Sequence, residues 1–158
     1  MDRDERLKEF AAVAVQLQME TGVPARMMIA QWAIESDWGA KPVGGFNYFG
    51  IKKRDRHAKS AESWTKEERS GRKRSELHLF ADFNSIEEAA RDYVYIITEA
   101  ETYAKAWDRF LQNRNIGQLA ATISRYYASD SSYTDLLLQI AGQKNVAQHV
   151  RNVEACWT

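Results

Sequence analysis

A glutamate on an aromatic helix face is the first candidate for chemistry in this sequence. In the stretch "AIESDWG", Glu35 follows Gln31 and Trp32 by four and three positions, and Trp38 comes three positions later. This spacing predicts one helical stripe, extending back to Met28, in which Glu35 projects from apolar surroundings. Burial and the nearby helix C-terminus would both raise the pKa of its carboxyl, as a general acid requires. The alternative is a last-turn glutamate that reaches solvent.

The next segment, "GGFNYFGIK", is suited to holding a sugar. It begins with two glycines that permit a tight backbone and continues with an amide and two rings. Asn47 is predicted to read a sugar hydroxyl or acetamide, and Tyr48 and Phe49 to offer flat stacking surfaces. Gln31 and Trp38, from the preceding helix, are predicted as further substrate contacts. Together these residues indicate a carbohydrate site.

Two helices must carry Glu35 into place. Apolar residues at helical spacing predict the first helix over residues 4–20. Pro24, at a first helical position, predicts a second helix over residues 25 to about 37, and Gly39 is expected to end it. The candidate acid therefore stands near the end of the second helix.

The middle of the chain changes character. Residues 40–80 contain early glycines and then many charges, and they are predicted to form a loop and a short hairpin. Alternation in "ELHLFADF" places Leu77, Leu79 and Ala81 on one strand face. This is the only β element that the sequence indicates.

Helices return after this segment. "SIEE" matches a capping box in which Ser85 opens a helix. Further helices are predicted over residues 102–113 and 116–126, and a cap at Ser132 or Asp135 predicts one more before "LLLQIA". The expected fold is mainly α with a small β-hairpin lobe.

Together the two motifs resemble the glucosaminidase domain of glycoside hydrolase family 73, which occurs in bacterial autolysins and phage lysins. The family pattern is close to A-Q-x-A-L-E-S-x-W-G followed by N-x-F-G-I-K, and this chain has "AQWAIESDWG" and "NYFGIK". Ile34, Asp37 and Tyr48 are mild departures from that pattern.

The resemblance continues towards the C-terminus. "TKEERSG" matches a family motif through Thr65, Glu67 and Gly71, whereas "FADF" matches an F-R-x-Y-like strand poorly because it lacks the arginine. The segments "ARDYVYII" and "YASDSSY" match two further motifs through Asp92, Tyr93, Tyr127, Asp130 and Tyr133. The resemblance covers about residues 10–140, which indicates a single catalytic domain over residues 1–158.

The resemblance implies a lysozyme-like fold and hydrolysis of peptidoglycan at the β-1,4 bond from N-acetylglucosamine to N-acetylmuramic acid. It implies Glu35 as general acid and Glu67 as the second carboxylate, a nucleophile or a base depending on its distance from the acid. Asp92 is a third candidate, and the acetamide of the substrate could replace a protein nucleophile. Tyr127 matches the family's active-site tyrosine, although "YYASD" leaves Tyr126 open.

Other functions compete with this one. An N-acetylmuramidase would cut the other bond of the same polymer, and a non-catalytic wall-binding module would need no acid. The segment Lys52 to Arg74 carries ten Lys or Arg against four Asp or Glu, a balance of +6 in a chain of zero formal charge. Such a segment suits a solvated loop or a polyanion. We expect no nucleic-acid partner, because Trp64 is the only aromatic residue among the basic residues of this segment and no recognition motif is visible.

Composition excludes several other classes. The 158 residues are 44% hydrophobic and 28% charged, as in globular domains, with no apolar run near the length of a membrane span. "MDRDERLKEF" lacks the apolar stretch of a signal peptide, so we expect delivery to the cell wall by phage lysis, a secretion system or another non-classical route. Cys156 is the only cysteine, and His57, His78 and His149 fit no metal spacing. We expect a monomer without metal or cofactor.

Overall fold

Seven α-helices and one β-hairpin make up the described part of the chain. The computed structural model describes residues 1–128 and 130–157, with the backbone alone for residues 67–69. The helices are α1 (Arg3–Thr21), α2 (Ala25–Ser36), α3 (Ile86–Glu99), α4 (Ala104–Asn113), α5 (Ile116–Ser124), α6 (Ser131–Ala141) and α7 (Lys144–Cys156), and a 3-10 turn (Glu101–Tyr103) precedes α4. The strands are β1 (Lys59–Arg69) and β2 (Arg72–Asp82). The predicted fold class is confirmed.

The helix α2 lies at the centre of the helical body. Nine of its 12 residues are buried, and α1, α6 and α7 pack against it. A helix that is apolar nearly all round is typical of a core position. Glu35 therefore stands on a backbone that is held from several sides.

Both ends of α2 differ from the prediction. Pro24 is the N-cap rather than the first helical residue. At the other end, Asp37 and Trp38 have φ of 49° and 56°, so the left-handed turn begins two residues before Gly39. The prediction that Gly39 ends the helix is wrong. Because the chain leaves the helix at Asp37, Trp38 does not continue the face of Glu35.

Stacked rings tie α1, α2 and α3 to the segment before Gly50. Phe10 of α1 stacks on Trp32 of α2 at 4.9 Å between ring centroids and contacts Phe49 at 5.7 Å. Phe49 in turn stacks on Tyr93 of α3 at 4.8 Å. Aromatic pairs of this kind add stabilisation beyond the area they bury. The ring array fixes the chain immediately before Gly50.

The hairpin is longer than the sequence predicts. Each strand has 11 residues, and they pair antiparallel from Lys59 opposite Asp82 to a turn at Ser70 and Gly71. These two turn residues have φ of 52° and 75°, as a type I′ hairpin turn requires. The hairpin extends as a lobe from the helical body.

The two faces of the hairpin differ in exposure. Leu77, Leu79 and Ala81 lie at alternate positions of β2, as predicted, but only Ala81 is buried. Trp64, which pairs with Leu77, is 69% exposed, whereas Phe80 on the opposite face is buried. The apolar alternation therefore marks an outward face over most of its length.

The C-terminal helices correct two further predictions. The side chain of Asp130 accepts a hydrogen bond from the Ser132 N–H and caps α6, so Ser132 and Asp135 lie inside the helix rather than at its cap. The helix α7 was not predicted, although Val146 and Val150 are one turn apart and buried. The helices predicted over 102–113 and 116–126 appear as α4 and α5, each two residues shorter at one end. None of the helices in the described ranges has both the length and the apolar character that a membrane crossing needs.

Candidate active site

Glu35 lies half-buried in the last turn of α2. Its Oε1 accepts a hydrogen bond of 2.5 Å from the hydroxyl of Tyr133 on α6. Burial raises the pKa of the Glu35 carboxyl, and the Tyr133 hydrogen bond opposes this rise because it favours the charged form. The direction agrees with the sequence prediction and suits a group that holds a proton near neutral pH.

Gly50 lies against the other oxygen of this carboxyl. A Cβ at position 50 would stand 2.7 Å from Glu35 Oε2 and 3.6 Å from the ring of Tyr127. Gly50 also has a φ of 61°, which side-chain-bearing residues rarely adopt. A side chain at this position would therefore crowd Oε2. The sequence analysis did not select Gly50, although "FGIK" contains the signal.

Asn47 holds the backbone of this segment. Its amide donates to the carbonyls of Ile51 and Ala81 at 2.8 Å each, and its Oδ1 accepts from the N–H groups of Phe49 and Ile51. Asn47 is 1% exposed, and these four hydrogen bonds use its donors and both acceptor sites. The prediction that Asn47 reads a sugar is wrong in this structure, because its side chain shapes the loop that carries Gly50.

The two rings predicted as stacking surfaces do not flank Glu35 together. Phe49 is fully buried between Phe10 and Tyr93, so it offers no face to a sugar and that prediction is corrected. Tyr48 is half-buried and lines a cavity of about 320 Å³ beside Trp32, and burial raises the pKa of its phenol. Successive side chains of the loop therefore point to different surroundings.

Gln31 and Trp38 are also corrected as direct substrate contacts. Gln31 is fully buried, and its amide donates to the hydroxyl of Tyr133 and accepts from that of Tyr93. Trp38 is 9% exposed, packs edge-on against Trp32 and lies 5.1 Å from the guanidinium of Arg3. Trp38 is turned away from Glu35 because α2 has already ended. Gln31 is buried because α2 is central to the core.

Tyr127 and Tyr133 stack beside Glu35. Their ring centroids are 5.7 Å apart and their planes differ by 1°. Tyr127 donates a 2.8 Å hydrogen bond to the carbonyl of Phe49, the residue before Gly50. Burial, and then the neighbouring Tyr93 and Glu35, raise the pKa of Tyr127 well above its ordinary value, so its phenol keeps its proton.

Tyr126 and Tyr127 occupy different places, which separates the two alternatives left open by "YYASD". The hydroxyl of Tyr126 accepts a hydrogen bond from the Lys52 N–H at 3.3 Å, whereas Tyr127 lies against Gly50. Tyr133, which the sequence analysis did not select as a site residue, contacts the carboxyl of Glu35 directly. Its position nine residues beyond the α5 terminus gave no local signal of that contact beyond the family motif.

Two further carboxylates were predicted as candidates for the site. The side chain of Glu67 lies outside the described residues, and Asp92 lies outside the cluster around Glu35. Glu67 is paired with Arg74 in the hairpin register, and its side chain is not among those that the structure describes. Asp92 binds the guanidinium of Arg56 at 3.0 Å and Nε2 of His57 at 2.9 Å. Both oxygens of Asp92 are thus used to anchor the chain just before β1.

No group of three or more His, Cys, Asp or Glu side chains suited to a metal ion occurs among the described residues. His57 bonds to Asp92, and His149 bonds to Asp4. His57 and His149 thus act as hydrogen-bonding partners of carboxylates.

The fold, with a half-buried carboxyl in the last turn of α2, is shared with the catalytic domains of known hydrolases. The catalytic domain of the autolysin Auto from Listeria monocytogenes shares the fold with a TM-score of 0.75 at 22% identity, over 93% of this chain and 86% of that one. The glycoside hydrolase domain of Salmonella typhimurium FlgJ shares it with a TM-score of 0.70 at 24% identity, over 99% and 97%. The chain belongs to the glucosaminidase family, whose model, described as mannosyl-glycoprotein endo-beta-N-acetylglucosaminidase, matches residues 11–146.

Sequence relatives carry a consistent description. The peptidoglycan hydrolase FlgJ of Pseudomonas aeruginosa is 30% identical over 154 residues, which are 93% of this chain and 38% of the relative. The FlgJ of Vibrio cholerae is 29% identical over 145 residues, 87% of this chain and 42% of the relative. The chain thus spans about two-fifths of the length of these relatives. The family resemblance inferred from the motifs is confirmed.

Proposed function

We propose that this chain hydrolyses the glycan strand of peptidoglycan as an endo-β-N-acetylglucosaminidase, with Glu35 as the general acid. The observation that carries the proposal is the state of Glu35. Its carboxyl has a raised pKa through burial, one oxygen bound by Tyr133, and the other beside Gly50. Family membership and relatives named as peptidoglycan hydrolases support the substrate class.

In the proposed reaction, the proton of Glu35 passes to the oxygen that leaves the β-1,4 bond. The bond from the anomeric carbon to that oxygen breaks, and its electron pair goes to the oxygen. The oxygen of a water molecule then bonds to the anomeric carbon, either directly or after an intermediate, and the proton that this water loses passes to a carboxylate. Protonation of the leaving group by a positioned acid contributes roughly two to four orders of magnitude to such a rate.

For the second catalytic group we propose Glu67, which the family motif selects. Its strand belongs to the hairpin lobe, whose base is bound to the body through Asp92 and through backbone bonds from β2 to residues 51–53. Assistance by the acetamide of the substrate is the competing route, in which Glu67 would not be a nucleophile. Glu67→Gln separates the two, because only the first route predicts a large loss of kcat.

Tyr127 fits a supporting role in this proposal. Its hydrogen bond to the Phe49 carbonyl holds the loop that presents Gly50, and its ring lies beside the acid. We expect it to define the wall of the site rather than to transfer a proton, since its pKa is far above neutral.

The test is digestion of purified sacculi followed by borohydride reduction and mass spectrometry. The proposal expects N-acetylglucosaminitol at the new ends, and kcat lower by roughly two to four orders of magnitude in Glu35→Gln. Muramitol at the new ends would assign the other glycosidic bond, and wild-type activity in Glu35→Gln would remove Glu35 as the acid.

The stability of Glu35→Gln provides the fold control. Because the folded-state pKa of Glu35 is raised, ionisation of this group destabilises the folded protein as pH rises above the pKa of the unfolded chain. Glutamine removes that penalty and keeps an acceptor for Tyr133. Thermal melts should therefore show Glu35→Gln at least as stable as wild type at pH 7, with the difference vanishing in acid. A large fall in melting temperature would mean that lost activity reflects unfolding.

A further inference from the structure

Four side chains, two of them buried, form a chain of hydrogen bonds that ends on Glu35. The Tyr93 hydroxyl donates to Oε1 of Gln31 at 3.4 Å, and Nε2 of Gln31 donates to the Tyr133 hydroxyl at 2.5 Å. The Tyr133 hydroxyl then donates to Oε1 of Glu35 at 2.5 Å. These bonds bring together α3, α2 and α6.

The direction of this chain follows from the number of protons available. A phenol has one proton to donate, and an amide has a distinct donor end and acceptor end. Because the oxygen of Tyr133 accepts from Gln31, its proton is directed to Glu35. Gln31 is fully buried and Tyr93 is 1% exposed, so solvent does not compete for their bonds. The bond from Tyr93 in turn keeps the acceptor end of Gln31 away from Tyr133.

We propose that Tyr133 and Gln31 are positioning residues that keep the acid proton on Oε2 of Glu35 and stabilise the carboxylate left after proton transfer. This inference rests on the proposed role of Glu35 as general acid. Oε1 is occupied as an acceptor, so the proton of the neutral carboxyl resides on Oε2. That oxygen lies beside Gly50, where a Cβ would stand only 2.7 Å from it.

The same hydrogen bond acts differently before and after the transfer. When the proton leaves Oε2 for the leaving oxygen, negative charge develops on the Glu35 carboxyl. A hydrogen bond to a charged group is stronger than one to a neutral group. The bond from Tyr133 therefore stabilises the transition state more than the ground state, which is the condition for a contribution to kcat.

Among the side chains that the structure describes, the titratable groups that interact with Glu35 are three phenols: Tyr133 from α6, Tyr127 from the segment before α6, and Tyr93 from α3. Burial is the main cause of the raised pKa of each phenol, and the charge of Glu35 adds to it. All three remain protonated at neutral pH. Tyr133 therefore remains a donor to Glu35 while the acid itself titrates.

The experiment compares Tyr133→Phe and Gln31→Met with the control Tyr95→Phe, which removes an exposed phenol hydroxyl from α3. The Glu35 pKa is measured by ¹³C NMR of the carboxyl, and kcat is measured against pH on sacculi. Tyr133→Phe should raise the Glu35 pKa and move the alkaline limb of the pH profile upward, because the bond that favours the carboxylate is lost. We expect kcat to fall roughly ten- to a hundredfold, as for one hydrogen bond to a charged group.

Gln31→Met should shift both readouts in the same direction by a smaller amount, since Tyr133 keeps its hydroxyl but loses the donor that orients it. Tyr95→Phe should match wild type. The proposal is overturned if Tyr133→Phe leaves the Glu35 pKa and the alkaline limb unchanged, even where its melting temperature falls. Retained activity in Glu35→Gln, with a raised Glu35 pKa in Tyr133→Phe, would uphold the hydrogen-bond chain and reject the general acid.

Discussion

The chemistry of Glu35 depends on two opposed influences on one carboxyl group. Burial in the last turn of α2 favours the neutral form, and the hydrogen bond from Tyr133 favours the carboxylate. A general acid needs both, because it must hold its proton before the reaction and tolerate a negative charge afterwards. The absence of a side chain at Gly50 completes the arrangement, because a Cβ there would stand 2.7 Å from Oε2.

Gly50→Ala tests this arrangement at the residue scale. The new Cβ would lie 2.7 Å from Glu35 Oε2, so the carboxyl must move. We expect kcat to fall roughly a hundredfold, the effect associated with misplacing a catalytic group by about 1 Å. The left-handed backbone should also cost about 1–2 kcal/mol in the free energy of unfolding.

Gly71→Ala is the matched control for this substitution. Gly71 has a φ of 75° in the hairpin turn, and a Cβ there meets nothing within 4 Å. In denaturant melts, Gly71→Ala should lose about as much stability as Gly50→Ala. In sacculus digestion, its activity should be nearly unchanged. Equal loss of kcat in both variants would show that backbone strain, rather than the contact with Glu35, explains the result.

At the scale of elements, the hairpin is fastened to the helical body at its base. Asp92 of α3 binds Arg56 and His57 just before β1. At the end of β2, the carboxylate of Asp82 accepts hydrogen bonds from the backbone N–H groups of Gly45 and Phe46. These contacts fix the hairpin and the segment containing Gly45 and Phe46 relative to α2.

Asp82→Asn tests the second of these fastenings. Although burial acts in the opposite sense, the backbone N–H groups of Phe46, Gly45 and Phe83 lower the pKa of Asp82. A depressed folded-state pKa gives stability that is present above the unfolded pKa and is lost as pH falls through the folded value. The variant should therefore melt below wild type at pH 7, and the gap should close in strong acid.

The exposed carboxylate of Asp108 on α4 provides the comparison for this experiment, as Asp108→Asn. That variant should follow the wild-type melting curve across the whole pH range. A gap for Asp82→Asn that stays constant with pH would contradict an electrostatic role and indicate a change in packing instead.

The molecule as a whole separates its charges between two parts. Residues 52–74 carry +6, so the rest of the chain carries −6. The segment includes the whole of β1 and the turn, and its three cations at the start of β2 are exposed. An exposed basic lobe can attract an anionic polymer such as the cell wall, and salt screens that attraction.

Replacing Arg72, Lys73 and Arg74 together by Gln tests this attraction at the scale of the whole molecule. Sedimentation with purified sacculi should show weaker binding than wild type at low salt. The amounts of the two proteins bound should become equal near 1 M salt, where the Debye length is about 3 Å. Neutralising three exposed cations outside the segment, Lys105, Arg109 and Lys144, makes the same change in net charge and should have a smaller effect. Equal effects would contradict a local role for the hairpin tip.

Local patterns in the sequence were sufficient for the helices near Glu35 and for the raised pKa of its carboxyl. Apolar spacing reports which residues of one helix share a face, and motif matches identify the family. The place of Glu35 in the last turn of its helix follows from residues near it in the sequence, whereas Trp38, predicted on the same face, does not share it. The sequence was also sufficient for the Ser85 cap, because such a bond joins residues three apart.

Only the tertiary structure decided which neighbours serve Glu35. Tyr133 and Gly50 approach it from 98 and 15 positions along the chain. Asn47 and Phe49 have side chains suited to sugars, yet the fold buries both of them. A residue type states what a side chain can do, and the packing of α2 among its neighbours determines whether it meets solvent, backbone or the acid. Local periodicity does not encode such contacts, because they depend on how distant segments pack together.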